Sequence, residues 1–273
     1  MRNVLTIVSE YGYWGEELLG PLETFDAAGY KVSLATPKGK RPHALPPSMD
    51  PTYFDPPLGK AVTTAEVAEK VKALDASTRL DDPRSLAGWV PERPYWSGQN
   101  ALREIEAYYR DVEKLASDIQ NYDALCLVGG SGPIIDMCNN DRVHALVLSF
   151  YRQNKPVAAI CYGVTCLAFA RDLQDRKSLI WGKHVTGHAK EYDYKDGTGF
   201  LGVDLNMGPP PYPLEYILRD ATGPDGAYHG NFGHERSVIV DYPFITGRSN
   251  QDSYLTAQKL VEVLDGGLTR WGW

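Results

Sequence analysis

Short, mostly apolar runs alternate along the chain with longer stretches in which apolar residues recur every three or four positions. The runs lie at 4–8, 31–36, 124–128 and 157–160, and each has the length of a buried strand. The stretches with helical periodicity include 17–28, 99–119 and 142–153. Strands that alternate with helices predict an α/β fold: a flavodoxin-like, doubly wound, mostly parallel sheet sandwiched between helices.

Two Pro-rich regions interrupt this pattern. Proline is crowded between 37 and 95, where 64–74 predicts one amphipathic helix, and a second Pro-rich loop spans 206–213. Long loops in compact domains are usually functional, so we expect a partial cap over the sheet edge, although a surface insertion without function has the same signature. The chain is therefore predicted to form a single domain over 1–273, with cap insertions at about 38–98 and 192–234.

The last third of the chain predicts further elements. A short strand is expected at 184–188, a hairpin at 237–240 and 244–246, and an amphipathic helix at 253–264. These complete the elements that the apolar pattern predicts.

The sharpest local signal is the bend that follows the apolar run at 157–160. Only Cys161, Tyr162 and Gly163 separate this strand from a predicted helix at 164–170, and so short a reversal forces a strained corner. Cys161 then lies at the carboxyl edge of the sheet, under a helix N-terminus that favours a thiolate over a thiol. We expect an activated nucleophile there, although a free cysteine is also commonly a small, buried apolar residue.

Two other groups are predicted to reach the same sheet edge. Gly129 and Gly130 follow a predicted strand, and their N–H groups, with that of Tyr162, would form an oxyanion hole; two glycines after a strand are otherwise a simple turn. Glu16 and Glu17 follow the first strand, and a carboxyl group beside a thiolate should be protonated and donate a hydrogen bond to the sulfur. Either acid is otherwise a first-turn residue that complements a helix dipole.

Composition narrows the possible partners. With 273 residues, 43% hydrophobic side chains and a net charge of −7, the chain is an ordinary globular protein whose charge argues against nucleic acid and anionic membranes. Four cysteines without a CxxC pair favour a reducing compartment, and six histidines without HxH or HExxH spacing predict no metal site. The chain shows no signal peptide and no membrane-spanning apolar run, so a cytoplasmic protein is expected.

Four motifs follow one another along the chain. They are Glu17 four residues before Pro21, Gly129-Gly130-Ser131-Gly132 with Asp136, Ala159-Ile160-Cys161-Tyr162-Gly163, and Val240-Asp241-Tyr242-Pro243-Phe244-Ile245-Thr246-Gly247. Together they resemble the ThiJ/PfpI superfamily, relatives of the class I glutamine amidotransferase fold, and especially its heat-shock chaperone and glyoxalase III-like subfamily. The resemblance covers most of the chain outside the Pro-rich insertions. It implies a homodimer, and it selects Glu17 rather than Glu16 as the acid beside Cys161.

One residue departs from this family's pattern. Glyoxalase III-like members carry a histidine at the position of Tyr162 as base partner of the cysteine, and a phenol with its normal pKa is a poor base near neutral pH. His188 is therefore the candidate base or substrate-orienting group, with Glu191 or Asp193 as its acid. A lone histidine in a strand is otherwise more often structural. The loop at 229–234 carries two more histidines that are candidates to reach the site.

The leading hypothesis is a cofactor-independent enzyme in which Cys161 attacks a small carbonyl compound or a related electrophile. The resemblance implies glyoxalase III-like hydration of 2-oxoaldehydes; lyase, hydratase or hydrolase chemistry stays open because Tyr162 replaces the histidine. The alternative is a redox sensor or holding chaperone whose Cys161 is oxidised to sulfinic acid. A glutaminase-like role is disfavoured because no synthase domain is attached. The expected partner is a small-molecule substrate, without nucleic acid, membrane, metal or cofactor.

Overall fold

A computed structural model describes residues 1–55, 59–94, 98–172, 174–193, 213–231 and 233–273. Its strands are Asn3–Ile7 (β1), Lys31–Thr36 (β2), Phe54–Asp55 (β3), Lys60–Ala61 (β4), Arg84–Ser85 (β5), Ala124–Leu127 (β6), Val157–Ile160 (β7), His184–Val185 (β8), Ala227–Tyr228 (β9), Val238–Asp241 (β10), Phe244–Gly247 (β11) and Arg270–Trp271 (β12). Its α-helices are Gly15–Ala27 (α1), Ala65–Asp75 (α2), Ala101–Asp118 (α3), Gly132–Asp136 (α4), Asp141–Arg152 (α5), Thr165–Phe169 (α6), Lys190–Asp193 (α7), Leu214–Ala221 (α8) and Ser253–Gly266 (α9). Within these ranges, no helix combines the length and the hydropathy needed to cross a bilayer.

Eight of the strands form one sheet, in the order β12-β10-β11-β7-β6-β1-β2-β5. Every neighbouring pair from β11 to β5 is parallel, whereas β10 and β12 are antiparallel additions at one edge. The chain winds outward from β1 to β2 and β5, and then in the other direction through β6, β7 and β11. The predicted doubly wound, mostly parallel sheet is therefore confirmed, and its switch point lies between β1 and β6. Ligands of such sheets bind beyond the carboxyl ends of the strands at this point.

Helices cover both faces of the sheet because successive strand residues point to opposite sides. On β6, Leu125 and Leu127 join the core formed with α3, α5 and α6, whereas Ala124 and Cys126 join the core formed with α1 and α9. Cys126 is thus a core residue. All four residues of β6 and all four of β7 are buried, which explains why both strands appear in the sequence as unbroken apolar runs.

The first Pro-rich insertion contributes to the sheet as well as covering it. Its helix α2 begins after Thr64, whose hydroxyl accepts the N–H of Val67 at 3.2 Å, and packs on α1. The short strand β5 pairs with β2 and extends the main sheet at its edge. The sequence pattern did not predict this strand, because prolines are scattered through the insertion. A role for this insertion as a partial cap over the site stays a prediction. In the second insertion, 194–212 and Phe232 lie outside the described residues.

The segment at 184–188 is a strand only over its first two residues. His184 and Val185 pair with β9 in a separate two-stranded sheet. At Thr186 the backbone N–H turns to the Oγ1 atom of Thr246 on β11, at 2.9 Å, so the predicted strand ends there. This hydrogen bond attaches the segment to the strand beside β7 and directs the residues that follow towards the carboxyl edge of the sheet.

Candidate functional site

Cys161 occupies a strained corner between β7 and α6. Its φ is +54°, in the left-handed region that residues other than glycine rarely adopt. A 3₁₀ turn over Cys161–Val164 precedes α6, so the predicted helix at 164–170 is shorter than expected. Glycine is required at position 163, because a Cβ atom there would lie 2.7 Å from the Leu127 carbonyl oxygen. The predicted strained corner is thus present, and residues 161–163 are called the elbow below.

The N-terminus of α1 brings Glu17 to this corner. The N–H of Trp14, just before the helix, donates to the Gly129 carbonyl at 3.4 Å, and Glu17 is only 2% exposed. A Cβ atom added to Gly129 would lie 2.3 Å from Glu17 Oε2 and 2.8 Å from Cys161 Cβ. Gly129 therefore lies between the carboxyl group and the cysteine, where no side chain has room. Its part in an oxyanion hole stays a prediction.

Burial keeps both reactive groups neutral. Removal from water raises the pKa of Glu17 to about 8, against the opposing effect of hydrogen bonds with the Cys161 thiol and the Gly130 amide. Burial, and then Glu17, raise the pKa of Cys161 well above its usual value, although the amides of Gly130 and Tyr162 act in the opposite direction. The expectation that the elbow favours a thiolate is therefore wrong for the resting site. The expected protonated Glu17 agrees with this raised pKa.

The structure brings His188 to the sulfur. Its Nδ1 atom lies 3.4 Å from Cys161 Sγ, close enough to accept the thiol proton when the ring's own proton is on Nε2. The ring of Tyr162 stacks on the imidazole with 4.2 Å between centroids and 25° between planes. Tyr192 makes an edge-to-face contact with the same imidazole, with centroids 5.6 Å apart. Tyr162 thus packs against an imidazole that comes from another segment of the chain.

The remaining sequence candidates are placed differently. Glu191 and Asp193 lie in α7, close along the chain to the base, but their side chains are outside the described part of the structure, so their roles stay predictions. His229 Nε2 lies 2.8 Å from His184 Nδ1, beside the turn of the β10–β11 hairpin at the amino end of β11. His234 is exposed. In the ranges described, no three His, Cys, Asp or Glu side chains are arranged to hold a metal ion.

Arg248 is the residue near the site that sequence reasoning missed. The parallel register of β11 and β7 pairs Gly247 with Ile160, so Arg248 and Cys161 leave neighbouring strands at the same level. The arginine is only 2% exposed, and its guanidinium donates to carbonyl groups of the loop at 230–235. A charged residue directly after a buried strand is a signal that could have identified it, once the strand order was known.

Filling the space at Gly129 should damage both stability and the site. We expect Gly129→Ala to lower the free energy of unfolding by about 1–3 kcal/mol, because the new methyl group would overlap Glu17 Oε2 and the carbonyl oxygen of Ile160, 2.4 Å away. Urea denaturation measures the change. Gly266→Ala is the matched control, since a Cβ atom at that helical position meets nothing within 4 Å. Equal stability of the two variants would contradict the close packing described here.

Comparison with known proteins identifies a family and a shared fold. The family model described as ThiJ/PfpI family-like matches residues 8–185, which include α1 with Glu17, the glycines at 129–132 and the elbow. The crystal structure of glyoxalase III from Candida albicans superposes with a TM-score of 0.62 at 17% identity, covering 97% of this chain and 98% of that one. At this identity the likeness shows a shared fold.

Two relatives are similar in sequence. A glutathione-independent glyoxalase, hsp3101 of Schizosaccharomyces pombe, is 26% identical over 254 residues, which cover 90% of this chain and 85% of that protein. A glutamine amidotransferase-like class 1 domain-containing protein from Bos taurus is 24% identical over 157 residues, covering 58% of this chain. The match spans 66% of the bovine protein, a little under two thirds of its length.

Proposed function

This chain belongs to the ThiJ/PfpI-like family, and on that premise we propose that it is a cofactor-independent enzyme whose Cys161 attacks the aldehyde carbon of a 2-oxoaldehyde. The observation that carries the proposal is the 3.4 Å contact between Cys161 Sγ and His188 Nδ1, beside a Glu17 carboxyl group that keeps its proton at neutral pH. A nucleophile, a base and an acid thus meet at one buried point. The activity in the name of the yeast relative supports the same substrate class.

The first step forms a carbon–sulfur bond. His188 takes the thiol proton as Cys161 Sγ bonds to the aldehyde carbon, and the electron pair of the carbonyl group moves to its oxygen. Glu17 supplies a proton to that oxygen, giving a neutral hemithioacetal. The amides of Gly130 and Tyr162, which face the sulfur in the resting site, are placed to stabilise the developing negative charge.

The second step moves hydrogen within the substrate. The deprotonated Glu17 removes the proton from the former aldehyde carbon, the electrons of that bond form a carbon–carbon double bond, and the ketone oxygen takes the proton held by His188, which gives an enediol. Glu17 then returns its proton to the neighbouring carbon while the hydroxyl group on the sulfur-bearing carbon gives its proton to His188. The product is a thioester of a 2-hydroxy acid on Cys161, and water then hydrolyses it and restores the thiol. One carbon is oxidised and its neighbour is reduced, so the reaction consumes one water molecule and needs no external oxidant.

The proposal is tested by incubating the protein with methylglyoxal in the absence of glutathione. We expect lactate to form with loss of one equivalent of methylglyoxal, measured by chromatography. Glyoxal should give glycolate in the same assay. A protein that consumes neither aldehyde under these conditions would contradict the proposed substrate class.

The pH profile should report the Glu17 carboxyl group. Since its pKa is raised to about 8, the proton that it donates is present below that pH and is lost above it, so kcat should fall as the pH rises through about 8. We expect Glu17→Gln to lower kcat by about 10²–10⁴-fold and to remove this alkaline decline. Glu16→Gln is the matched control, because that carboxyl group instead accepts the Asn250 side-chain amide at 3.0 Å. The account fails if the decline persists in Glu17→Gln.

A redox role is the second candidate, favoured by the same protonated carboxyl group. Two equivalents of hydrogen peroxide would add two oxygen atoms to Cys161, and Glu17 would donate a hydrogen bond to the resulting sulfinate. The intact mass after mild peroxide treatment should then rise by two oxygens in the native protein and not in Cys161→Ala. An unchanged native mass would remove this candidate and leave the enzyme proposal standing.

A further inference from the structure

We propose that Arg248 is a positioning residue that holds Tyr192 against His188 and so fixes the orientation in which the imidazole faces the Cys161 thiol. The inference deepens the proposed function and rests on it for its catalytic meaning. The contacts that support this inference join three separate segments of the chain: the elbow with Tyr162, the segment with His188 and Tyr192, and Arg248 after β11. These segments meet at the carboxyl edge of β7 and β11.

Arg248 is held firmly on one side by a loop. Its Nη1 atom donates to the carbonyls of Gly230 and Asn231 at 2.9 and 2.8 Å. Its Nη2 atom donates to those of His234 and Glu235 at 2.8 and 3.4 Å. Four bonds to one loop leave a planar guanidinium with little freedom to move, because each of them constrains the same rigid fork.

The buried charge of this guanidinium has a carboxylate beside it. Asp252 is fully buried, and its Oδ2 atom lies 4.0 Å from Arg248 Nε. The other oxygen of Asp252 accepts the Ser237 N–H at 2.7 Å, so the acid is itself fixed in place. A buried cation without such a partner would be costly. The fold therefore keeps a buried ion pair at a position where well-packed neutral side chains would often give equal or greater stability.

The guanidinium of Arg248 lies over the aromatic ring that contacts His188. The guanidinium carbon lies 5.6 Å from the centroid of the Tyr192 ring, within the range of a cation–π contact. Tyr192 meets His188 in an edge-to-face contact at 5.6 Å with 66° between the planes, and Tyr162 stacks on the same imidazole. The imidazole is thus in contact with two rings, one belonging to the elbow and the other close to Arg248.

Arg248 can affect the rate without touching the substrate, because it acts on His188 through the ring of Tyr192. Small displacements of a catalytic group, of about 1 Å, can cost up to about a hundredfold in rate. Loss of the Tyr192 ring should let the imidazole of His188 turn away from the sulfur. The thiol of Cys161 would then lose its base at the pH where the enzyme works, while the substrate-binding surface would be unchanged.

The test measures alkylation of Cys161 by iodoacetamide as a function of pH, followed by intact mass, together with kcat and KM for methylglyoxal. We expect Tyr192→Leu to slow alkylation at pH 7 by about 10-fold or more, to shift its pH midpoint upward, and to lower kcat by about 10–100-fold with KM within about twofold. Tyr192→Phe, which keeps the ring, should recover most of both rates. Arg248→Lys, which keeps the charge without the planar fork, should resemble Tyr192→Leu.

Tyr109→Leu on α3, far from the site, serves as the control, and thermal unfolding verifies that each variant is folded. Native alkylation and turnover in Tyr192→Leu would overturn the proposal, as would a Tyr192→Phe variant as impaired as Tyr192→Leu. The alkylation assay needs no substrate. If the native protein turns over no aldehyde but its alkylation still depends on Tyr192, the proposed function fails while the positioning role stands.

Discussion

Cys161→Ala should abolish the turnover of 2-oxoaldehydes, with a loss on the order of a thousandfold or more. The carbon–sulfur bond cannot form without the thiol, and the remaining groups have no nucleophile to assist. The variant should fold, because alanine replaces a small side chain that is 6% exposed in the native protein. Lactate production from methylglyoxal measures the effect, and circular dichroism verifies the fold.

Cys138→Ala is the control for this experiment. Its thiol is also buried but donates to the Ile134 carbonyl at 3.1 Å, away from the base and the acid of the site. We expect turnover close to that of the native protein, with a modest loss of stability from the deleted sulfur. Equal turnover in Cys161→Ala and the native protein would show that the elbow thiol is not the nucleophile.

His188→Gln should lower kcat for the same substrates by about 10²–10⁴-fold, the usual cost of losing a positioned general base. Glutamine has a similar size and keeps hydrogen-bonding groups near Cys161 Sγ, but it cannot take up the thiol proton. Because the raised pKa of Cys161 keeps the sulfur protonated at rest, the thiolate depends on a nearby base. Steady-state kinetics with methylglyoxal separate this loss in kcat from any change in KM.

His229→Gln is the matched control for the base. That histidine pairs with His184 near the opposite edge of the sheet, so its loss should leave kcat within about twofold of the native value. If His188→Gln and His229→Gln behave alike, the imidazole beside the sulfur has no part in turnover, and the proton would have to leave the thiol by another route.

Much of the fold followed from local patterns in the sequence. The strands Lys31–Thr36 and Val157–Ile160 begin and end as predicted, because a proline or a tight bend limits each of them. The parallel-sheet rule then brought three loops to one edge and so placed Glu17, Gly130 and Cys161 together. The rule that parallel strands share one carboxyl edge was thus enough to predict that these candidate site residues meet.

The parts that the sequence could not predict depend on contacts between distant segments. The strand at 184–188 ends early because Thr186 bonds to Thr246, sixty positions away along the chain, and this bond directs His188 to the elbow. The neutral state of Cys161 results from burial and from Glu17, neither of which has a local signature. The place of Arg248 depends on the register between β11 and β7.

The departure from the family pattern at Tyr162 is accommodated by the same geometry. A phenol next to Cys161 is a poor replacement for a histidine as base near neutral pH, but its flat ring stacks on the imidazole of His188 with 4.2 Å between the ring centroids. The segment after β8 therefore delivers the nitrogen that the elbow lacks. This relocation of the base is the central claim.

Alkylation of Cys161 by iodoacetamide at pH 7 tests that claim most directly, because the reagent reports the availability of the thiolate without any assumption about the substrate. The native protein and His188→Gln are compared by intact mass over time, with Cys161→Ala as the blank. A rate at least about tenfold lower in His188→Gln is the result that the relocated base predicts. Identical rates in the two proteins would contradict it.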